Sequence, residues 1–237
     1  MEAPLFFSII IPAHNEEKCI ERTLSYIQKI DYPSGSFEAI IIENGSTDAT
    51  YAKAKPFENN TIKVFSISQK GVSVARNAGV ARHNKNSQWT IFMDADTFFE
   101  PGFLKELDTF LKRERASSYS VGTTMIEPFP NRLGARLWFR FYDFGHWLTK
   151  TSYALFIVRT DLLQKISFDE KLKMGEDLRA IEEARRHGKF FFLRTNSVYT
   201  STRRFDKEGW VKIFFVWIFV AMLPQSIQRR FEYKITR

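Results

Sequence analysis

The sequence predicts an α/β fold, a doubly wound and mostly parallel central sheet with helices on both faces, followed by a C-terminal amphipathic helical extension. Strand-like and helix-like segments alternate through the first hundred residues, which is typical of a parallel sheet with right-handed crossovers. Several of the strands are continuous apolar runs, as expected for strands covered on both faces. Because 44% of the 237 residues are apolar and 26% are charged, the chain is able to bury a core and is not a disordered chain.

The elements of the first half follow from apolar spacing. The predicted strands lie at residues 6–11, 37–42, 62–67 and 89–93. The third strand alternates apolar and polar residues, so we expect it nearer an edge of the sheet. The predicted helices lie at residues 16–30, at 72–82 and from Pro101 onward.

The second half is less regular. Its predicted strands lie at residues 120–126, 153–158, 190–193 and 197–200. Residues 132–150 are rich in aromatic residues and predict either an amphipathic helix or a mobile segment. A further helix is predicted at 178–187, where Gly188 provides the stop. We expect residues 1–205 to form one compact domain and residues 206–237 to form the basic, aromatic extension.

The extension contains an apolar-leaning run, Val211 to Leu223, interrupted by Lys212. This run is shorter than the roughly 20 residues needed to span a bilayer. It predicts either an amphipathic helix lying at a membrane interface or a helix packed on the domain or on a partner. Both interpretations stay open.

Charge and cysteine content limit the binding partners and the cellular location that we expect. The net charge is +8, and residues 203–237 hold eight Lys/Arg against three acids, which favours phosphates, anionic lipid surfaces or nucleic acid as partners. The single cysteine, Cys19, excludes an intramolecular disulfide and is expected to be core packing. The first residues lack the basic start of a secretory signal. We therefore predict a cytoplasmic protein, or one peripheral at the inner face of the membrane.

Polar clusters follow three predicted strands at the point where each ends. They are the segments 12–16, 43–48 and 94–96. In doubly wound sheets, ligands bind outside the carboxyl ends of the strands, so we expect these clusters to form one site.

Asp94 and Asp96 are the candidate metal ligands of this site. Acids separated by one residue point to the same side if the backbone stays extended, and the small Ala95 between them leaves the backbone accessible. Mg²⁺ and Mn²⁺ are typically held by one or two carboxylates plus substrate phosphates and water. A triplet of this kind is weak by itself, and its position at a strand end is what supports it.

The neighbouring segments suit a nucleotide. Gly45 permits a tight turn, and Glu43 is left at the strand end as an acceptor for a base N–H. Gly71 starts a helix whose backbone N–H groups suit phosphate, and Arg76 follows about one and a half turns later. A salt bridge at the surface is the alternative for Arg76.

Two further clusters lie in the second half. Glu176 and Asp177 either cap a helix or supply a general base, and Asp177 is the candidate for that base. Arg203 and Arg204 either neutralise a leaving diphosphate or form an exposed basic loop.

Together these segments resemble the family 2 glycosyltransferases, which have the GT-A fold. The matching motifs, in order, are Ile11 to Glu16, Glu43 to Asp48, Gly71 to Gly79, Asp94 to Asp96, and Glu176-Asp177. They cover about 200 of the 237 residues. Each motif is loose, but five in the family's order are highly specific.

The resemblance implies a role for each site residue. Residues 1–100 would be the nucleotide-binding half and 101–205 the acceptor-binding half. Asp96 would coordinate Mg²⁺ or Mn²⁺, Asp94 would meet the ribose or the metal, and Asp177 would be the base of an inverting transfer. The donor, a nucleotide-diphosphate sugar, would lie against Pro12, Ala13, Glu16, Glu43, Gly71, Arg76, Asp94, Ala95, Arg203 and Arg204.

Two departures from the family pattern bear on the activity. The family often has Asp-Asp-Gly-Ser where this chain has Glu43-Asn44-Gly45-Ser46, which leaves the base less defined. Processive members carry Gln-x-x-Arg-Trp, and residues 225–231 are only a partial echo of it. We therefore expect transfer of a single sugar to a glycan or lipid-linked acceptor, with possible membrane contact through 206–237.

Two other functions remain in view, a nucleotide-sugar-binding protein without catalysis and a basic binder of membranes or nucleic acid. The basic binder gives no reason for carboxylates at three strand ends, and no nucleic acid partner is predicted. A nucleotidyltransferase would need a glycine-rich basic loop after the first strand, where this chain has residues 14–17, His-Asn-Glu-Glu.

Overall fold

The computed structural model describes residues 3–113, 118–172 and 175–222. Its strands are β1 (Phe7–Ala13), β2 (Phe37–Asn44), β3 (Ile62–Ile67), β4 (Trp89–Met93), β5 (Thr97–Phe99), β6 (Tyr119–Thr124), β7 (Glu127–Phe129), β8 (Leu155–Arg159), β9 (Lys189–Leu193) and β10 (Val198–Ser201). Its α-helices are α1 (Ile20–Gln28), α2 (Thr50–Ala54), α3 (Val72–Val80), α4 (Phe103–Leu111), α5 (Leu133–Thr149), α6 (Glu176–Arg185), α7 (Arg203–Glu208) and α8 (Trp210–Met222).

Seven strands form the central sheet in the order β3-β2-β1-β4-β8-β6-β9. The first four are parallel, and β3 lies at an edge, as the alternation in its sequence predicts. The chain reverses direction of winding between β1 and β4, which is where a doubly wound sheet binds its ligand. The sheet is not parallel throughout, because β8 runs antiparallel to both β4 and β6.

The apolar residues of the strands divide between the two faces of the sheet. Ile9 and Ile11 contribute to a core with α1 and α4, while Ile10 contributes to one with α6. Successive side chains of a strand point to opposite faces, so a continuous apolar run serves both cores. This confirms the predicted mixed α/β sheet with helices on both faces.

The helix predicted from residue 16 begins later, at Ile20. The backbone N–H groups of Glu16 and Glu17 donate instead to Thr50 Oγ1 and Asp48 Oδ2, at 2.7 and 3.2 Å. Hydrogen bonds to the loop after β2 therefore hold residues 16–19 as a loop at the end of β1.

A three-stranded sheet, β5-β10-β7, was not expected from the sequence. It joins the segment directly after Asp96 to the segment directly before Arg203, since Thr97 pairs with Thr200 across β5 and β10. Their hydroxyls are 2.8 Å apart and buried. This small sheet therefore fixes two predicted site segments side by side.

The C-terminal part of the described chain contacts the domain. Trp210 and Phe214 of α8 make edge-to-face contacts with Trp138 of α5, with ring centroids 6.3 and 6.1 Å apart. No helix in the described ranges is both long and apolar enough to cross a membrane. The division at residue 205 stays a prediction, and residues 223–237, with the partial motif at 225–231, lie outside the described residues.

Candidate active site

The loops that follow β1 and β2 are held together by hydrogen bonds. His14 Nδ1 lies 2.8 Å from the Asn44 carbonyl. The Asn15 N–H donates to Ser46 Oγ at 3.0 Å, and Asn15 Oδ1 accepts from the Thr47 N–H at 2.8 Å. Asn15 adopts a φ of 56°, which asparagine tolerates better than most residues. These hydrogen bonds join the loops after β1 and β2 into one side of the candidate site, which we call the wall. Pro12 and Ala13, which precede the first loop, are buried in β1.

Glu43 lies near the end of β2, just before the loop that follows it, and is 4% exposed. Its Oε1 accepts from the Ser46 N–H at 2.6 Å, and its Oε2 accepts from Ser66 Oγ at 2.5 Å. Glu43 therefore organises the turn at Gly45, a structural role that the sequence analysis missed. Each carboxylate oxygen has two lone pairs, so acceptor capacity for a base N–H remains.

Gly71 begins α3 with a φ of 132°, a conformation that side-chain-bearing residues rarely adopt. Its carbonyl accepts from Asn44 Nδ2 at 3.2 Å and from the Ala75 N–H at 3.0 Å. The N-terminus of α3 is thereby fixed beside the end of β2, where N–H groups suit an anionic ligand.

Arg76 is buried, not part of a surface salt bridge, and is 6% exposed. Its Nη1 donates to Glu176 Oε1 at 2.6 Å, and its Nη2 lies 3.7 Å from Asp94 Oδ1. The guanidinium also lies 5.6 Å from the ring centroids of Phe156 and Phe168. Burial alone would lower the pKa of Arg76, but the carboxylates around it, led by Glu176, raise it, so the side chain stays charged.

Asp177 follows Glu176 in the first turn of α6 and is partly exposed. The protein groups around Asp177 remove much of the water from its carboxyl group, and this desolvation, together with the neighbouring carboxylate of Glu176, raises the pKa of Asp177 to about 7. Arg76 acts in the opposite direction, and Asp94 adds to the rise. A carboxylate with a pKa near the working pH is suited to take up a proton during a reaction.

The triplet at residues 94–96 is a turn and not an extended segment, because the Thr97 N–H donates to the Asp94 carbonyl at 3.0 Å. The expectation that both aspartates point to the same side of an extended backbone is therefore wrong. Ala95 does not leave the backbone open either: it is 3% exposed, and its carbonyl accepts from Thr23 Oγ1 at 2.7 Å. The turn directs Asp94 toward Arg76 and Asp96 toward Arg203.

Arg203 and Arg204 have different partners. Arg203 Nη2 lies 2.7 Å from Glu16 Oε2 and 3.7 Å from Asp96 Oδ2. Arg204 Nε lies 3.5 Å from Glu208 Oε1 on its own helix. The structure therefore brings Arg203 and Glu16 to Asp96, and it gives Arg204 a contact within α7.

A divalent cation fits the donors at this edge. The side chain of Asp94 is 47% exposed and that of Asp96 is 20% exposed, so both oxygens can be reached. Within the described ranges no group of three or more potential protein ligands lies together. A cation at this edge would need phosphate and water oxygens as its remaining ligands.

The structure brings together residues whose pairing no sequence pattern indicates. Glu176 and Arg76 are 100 positions apart, and Glu16 and Arg203 are 187 apart. The sequence placed Glu176 with Asp177 as a capping acid or a general base, and not as the partner of Arg76. Two features of the sequence could have indicated this pairing. Glu176 lies beside Asp177, and Arg76 lies in a largely apolar helix, where its charge needs a partner.

The comparison with family models gives one family. The model described as glycosyl transferase family 2 matches residues 8–172. This span contains every candidate residue except Asp177, Arg203 and Arg204.

Curated relatives are similar over parts of their length. The poly(ribitol-phosphate) beta-N-acetylglucosaminyltransferase TarS of Staphylococcus aureus is 26% identical over 187 residues, which are 72% of this chain and 31% of TarS. The minor teichoic acid biosynthesis protein GgaA of Bacillus subtilis is 32% identical over 109 residues, 44% of this chain and 24% of GgaA. The chain thus spans a third or less of the length of these relatives.

Solved structures share the fold. The crystal structure of S. aureus TarS 1–349 in complex with UDP-GlcNAc has a TM-score of 0.67 at 23% identity, covering 83% of this chain and 58% of that one. A mannosyltransferase from Pyrobaculum calidifontis in complex with GDP-Man and Mn²⁺ has a TM-score of 0.62 at 15% identity, covering 84% and 58%. Both are GT-A fold enzymes, which confirms the predicted fold class.

Proposed function

Because the chain belongs to glycosyl transferase family 2, we propose that it transfers a single sugar from a nucleotide-diphosphate sugar to an acceptor hydroxyl, with inversion and without processivity. The observation that carries the proposal is the linked set Asp94, Arg76, Glu176 and Asp177 at the carboxyl edge of the sheet. Through Arg76 and Glu176 it joins Asp94, the carboxylate on the proposed phosphate side, to Asp177, a carboxylate able to accept a proton.

The wall formed by the loops after β1 and β2 would hold the nucleoside. Pro12, Ala13 and Glu43 would line it, and the N-terminus of α3 at Gly71 would offer N–H groups to the base or phosphates. Relatives of known structure bind different nucleotides, UDP-GlcNAc in one and GDP-Man in another. The fold by itself therefore supports either base.

The diphosphate would lie between Asp96 and Arg203, with Asp94, Ala95 and Glu16 around it, while Arg204 would keep its contact with Glu208 and lie farther from the diphosphate. Mg²⁺ or Mn²⁺, held by Asp96 and Asp94, would supply charge stabilisation for the departing diphosphate. Arg203 would add a charge-assisted hydrogen bond to a phosphate oxygen. For this it would exchange its present contact with Asp96 for the phosphate.

Asp177 would carry out the proton chemistry. Its carboxylate would take the proton from the acceptor hydroxyl as that oxygen attacks the anomeric carbon. The bond from the anomeric carbon to the phosphate oxygen breaks, and the nucleotide diphosphate leaves with the electron pair. Attack opposite the leaving group inverts the anomeric configuration.

A glycan or lipid-linked acceptor is the proposed partner, and the basic, aromatic C-terminal segment 206–237 supports a peripheral position at the inner face of the membrane. TarS and GgaA are by name a poly(ribitol-phosphate) transferase and a teichoic acid biosynthesis protein. Hydroxyl-bearing polymers of that class are therefore the first acceptors to assay.

The test is a thermal-shift screen of nucleotide diphosphates and nucleotide sugars, with and without Mn²⁺, followed by assay of nucleotide release with an acceptor. We expect stabilisation that depends on both Mn²⁺ and diphosphate, since ligands stabilise by their affinity. Asp96→Ala is expected to remove the metal dependence. Full activity and unchanged metal dependence in Asp96→Ala would contradict the metal role.

The same screen separates the alternatives. A nucleotide-sugar-binding protein without catalysis would bind donor and release no nucleotide, and Asp177→Asn would change no rate. A basic binder of polyanions would show neither response to Mn²⁺ nor preference for diphosphates.

A further inference from the structure

Exposed apolar side chains are concentrated on two helices. Among the residues whose side chains the structure describes, ten large apolar residues are exposed, and nine of them belong to α5 and α8. We call these nine the α5–α8 surface: Leu133, Leu137, Phe141, Phe144, Trp147, Leu148, Val211, Phe215 and Phe219. Exposed apolar patches of this kind mark interaction sites.

The spacing along α5 makes the exposed residues one stripe. Residues 133, 137, 141, 144 and 148 follow each other at intervals of three or four, so they share one face of the helix. The opposite face is buried against the domain through Ala135, Phe139 and Tyr142. This 17-residue helix is therefore apolar both toward the core and toward the outside.

Ring contacts join the two helices into a continuous surface. Phe141 of α5 contacts Phe214 of α8 with centroids 5.4 Å apart. Phe214 in turn contacts the exposed Phe215 at 5.5 Å. The apolar stripe of α8, at residues 211, 215 and 219, is thus adjacent to that of α5.

The charges around this surface are mostly basic, although the exposed Asp206 of α7 lies 3.8 Å from Arg132 Nη1 and accepts from Trp210 Nε1 at 3.3 Å. The only acid within the residues of α5 and α8 is Asp143, and it is 3% exposed. Arg132, Arg136, Lys150 and Lys212 are exposed around the apolar side chains. Apolar side chains with a basic border are the composition of helices that lie in the surface of an anionic bilayer.

We propose that the α5–α8 surface docks this protein on an anionic membrane, with α5 as the principal inserting helix. A second copy of the chain is a poorer occupant, because symmetric pairing would bring two basic borders together. The extension 206–237 was expected to make this contact from its sequence. Among the side chains that the structure describes, six of the nine in this surface belong to α5 and three to α8.

The surface lies close to the candidate site along the chain. α8 follows α7, and α7 begins with Arg203, which contacts Asp96. On the other side, Asp143 of α5 accepts from Tyr153 Oη at 3.0 Å, next to Ala154, whose carbonyl accepts from the Asp94 N–H at 2.9 Å. Docking would therefore hold the site near a membrane-borne acceptor, an implication that rests on the proposed function.

The experiment is sedimentation of the full chain with phosphatidylcholine vesicles that contain either no anionic lipid or about a third phosphatidylglycerol. We expect binding to the anionic vesicles that weakens with added salt. Phe144→Asp is expected to reduce the partition coefficient at least about tenfold, because it replaces an inserting phenyl ring with a charge. Leu137→Ser, a milder change on the same stripe, is expected to reduce it several-fold.

Tyr51→Asp is the matched control, because Tyr51 is the one exposed large apolar residue in the described set that lies outside this surface. It is expected to leave vesicle binding unchanged. Arg136→Ser is expected to weaken binding about fivefold with anionic vesicles and to have little effect with neutral ones.

Three results would overturn the proposal. The first is a wild-type protein that does not sediment with anionic vesicles. The second is an equal loss of vesicle binding in Phe144→Asp and Tyr51→Asp. The third is a wild-type protein that does not bind vesicles and forms a dimer, which Phe144→Asp converts to a monomer. Thermal shift with UDP or GDP and Mn²⁺ is recorded for each variant. Loss of that response counts against the proposed function and not against docking, since the surface variants lie outside the candidate site.

Discussion

The two aspartates of a single turn have arginine partners in contrasting surroundings. Asp94 lies near Arg76, which is 6% exposed, bonded to a buried glutamate and flanked by two phenyl rings. Asp96 lies near Arg203, whose side chain is 25% exposed and which begins a six-residue helix. Arg76 is fixed by the core of the fold, although Asp94 itself is 47% exposed, while Arg203 lies closer to the surface and has room to change partners when a diphosphate binds.

The largest expected difference between the two pairs is in stability. Arg76→Met leaves Glu176 as a buried charge without its cation and is expected to lower the free energy of unfolding by about 3–5 kcal/mol. Arg203→Met also leaves a carboxylate, Glu16, without this cation, and Glu16 is as buried as Glu176. Because Arg203 itself is 25% exposed, we expect a smaller cost of about 1–2 kcal/mol. Urea unfolding followed by circular dichroism measures both values.

The double variant Arg76→Met with Glu176→Leu is the control for that prediction. Replacing both partners of a buried pair by apolar residues is often close to neutral, so part of the lost stability should return. Equal losses from Arg76→Met and Arg203→Met would show that the two arginines are not structurally different.

For activity, we expect the larger specific effect from Arg203 and not from Arg76. Arg203→Met is expected to lower kcat/KM for the donor about a hundredfold, more than its loss of stability explains, because under the proposed function it removes a donor aimed at the charge that develops on the leaving group. Arg203→Lys keeps the charge and is expected to recover part of the loss. Wild-type kinetics in Arg203→Met would contradict the phosphate role.

A smaller effect is expected from the pH dependence of Asp177. Its pKa of about 7 lies above the value near 4 of an unfolded chain. The folded state therefore keeps a proton that the unfolded state releases, and the free energy of unfolding falls as the pH rises from about 4 to about 7. Asp177→Asn is expected to stabilise the protein at pH 8 by on the order of 1 kcal/mol.

The same substitution gives its own control at low pH. At about pH 4 the carboxyl of wild-type Asp177 is already protonated, so the stabilisation by Asn should vanish. A gain that is the same at both pH values would indicate improved packing and not removal of a charge.

The smallest effect is expected at Arg204. Because Arg204 contacts Glu208 on its own helix, Arg204→Gln is expected to change kcat/KM less than about threefold. A loss as large as that of Arg203→Met would mean that both arginines reach the diphosphate, as the sequence alone suggested.

Much of the fold could be predicted because β1 and β2 are continuous apolar runs, β3 alternates, and α1 and α6 have apolar residues at helical spacing. The strands β5 and β7 have three residues each and are too short to show a period. The antiparallel direction of β8 could not be predicted, because an apolar run does not encode strand direction. The apolar outer face of α5 was visible as aromatic content, but its exposure depends on tertiary packing.

The candidate site divides in the same way. The segments that meet at the carboxyl edge could be predicted from strand order. Which side chains pair there could not, since Glu16 and Arg203 are brought together only by the small sheet that joins β5 to β10. The turn at Asp94 is closed by one backbone hydrogen bond, from the Thr97 N–H to the Asp94 carbonyl. None of the side chains at 94–96 specifies this bond, so the sequence does not predict the turn.

The most direct test of the proposed function is the rate of nucleotide diphosphate release by Asp177→Asn, in the presence of acceptor and saturating donor and Mn²⁺. We expect a rate about a thousandfold below wild type, because a general base contributes factors of that order, with the dissociation constant for the nucleotide diphosphate unchanged. A rate within about threefold of wild type would contradict Asp177 as the base and, with it, the mechanism proposed for this site.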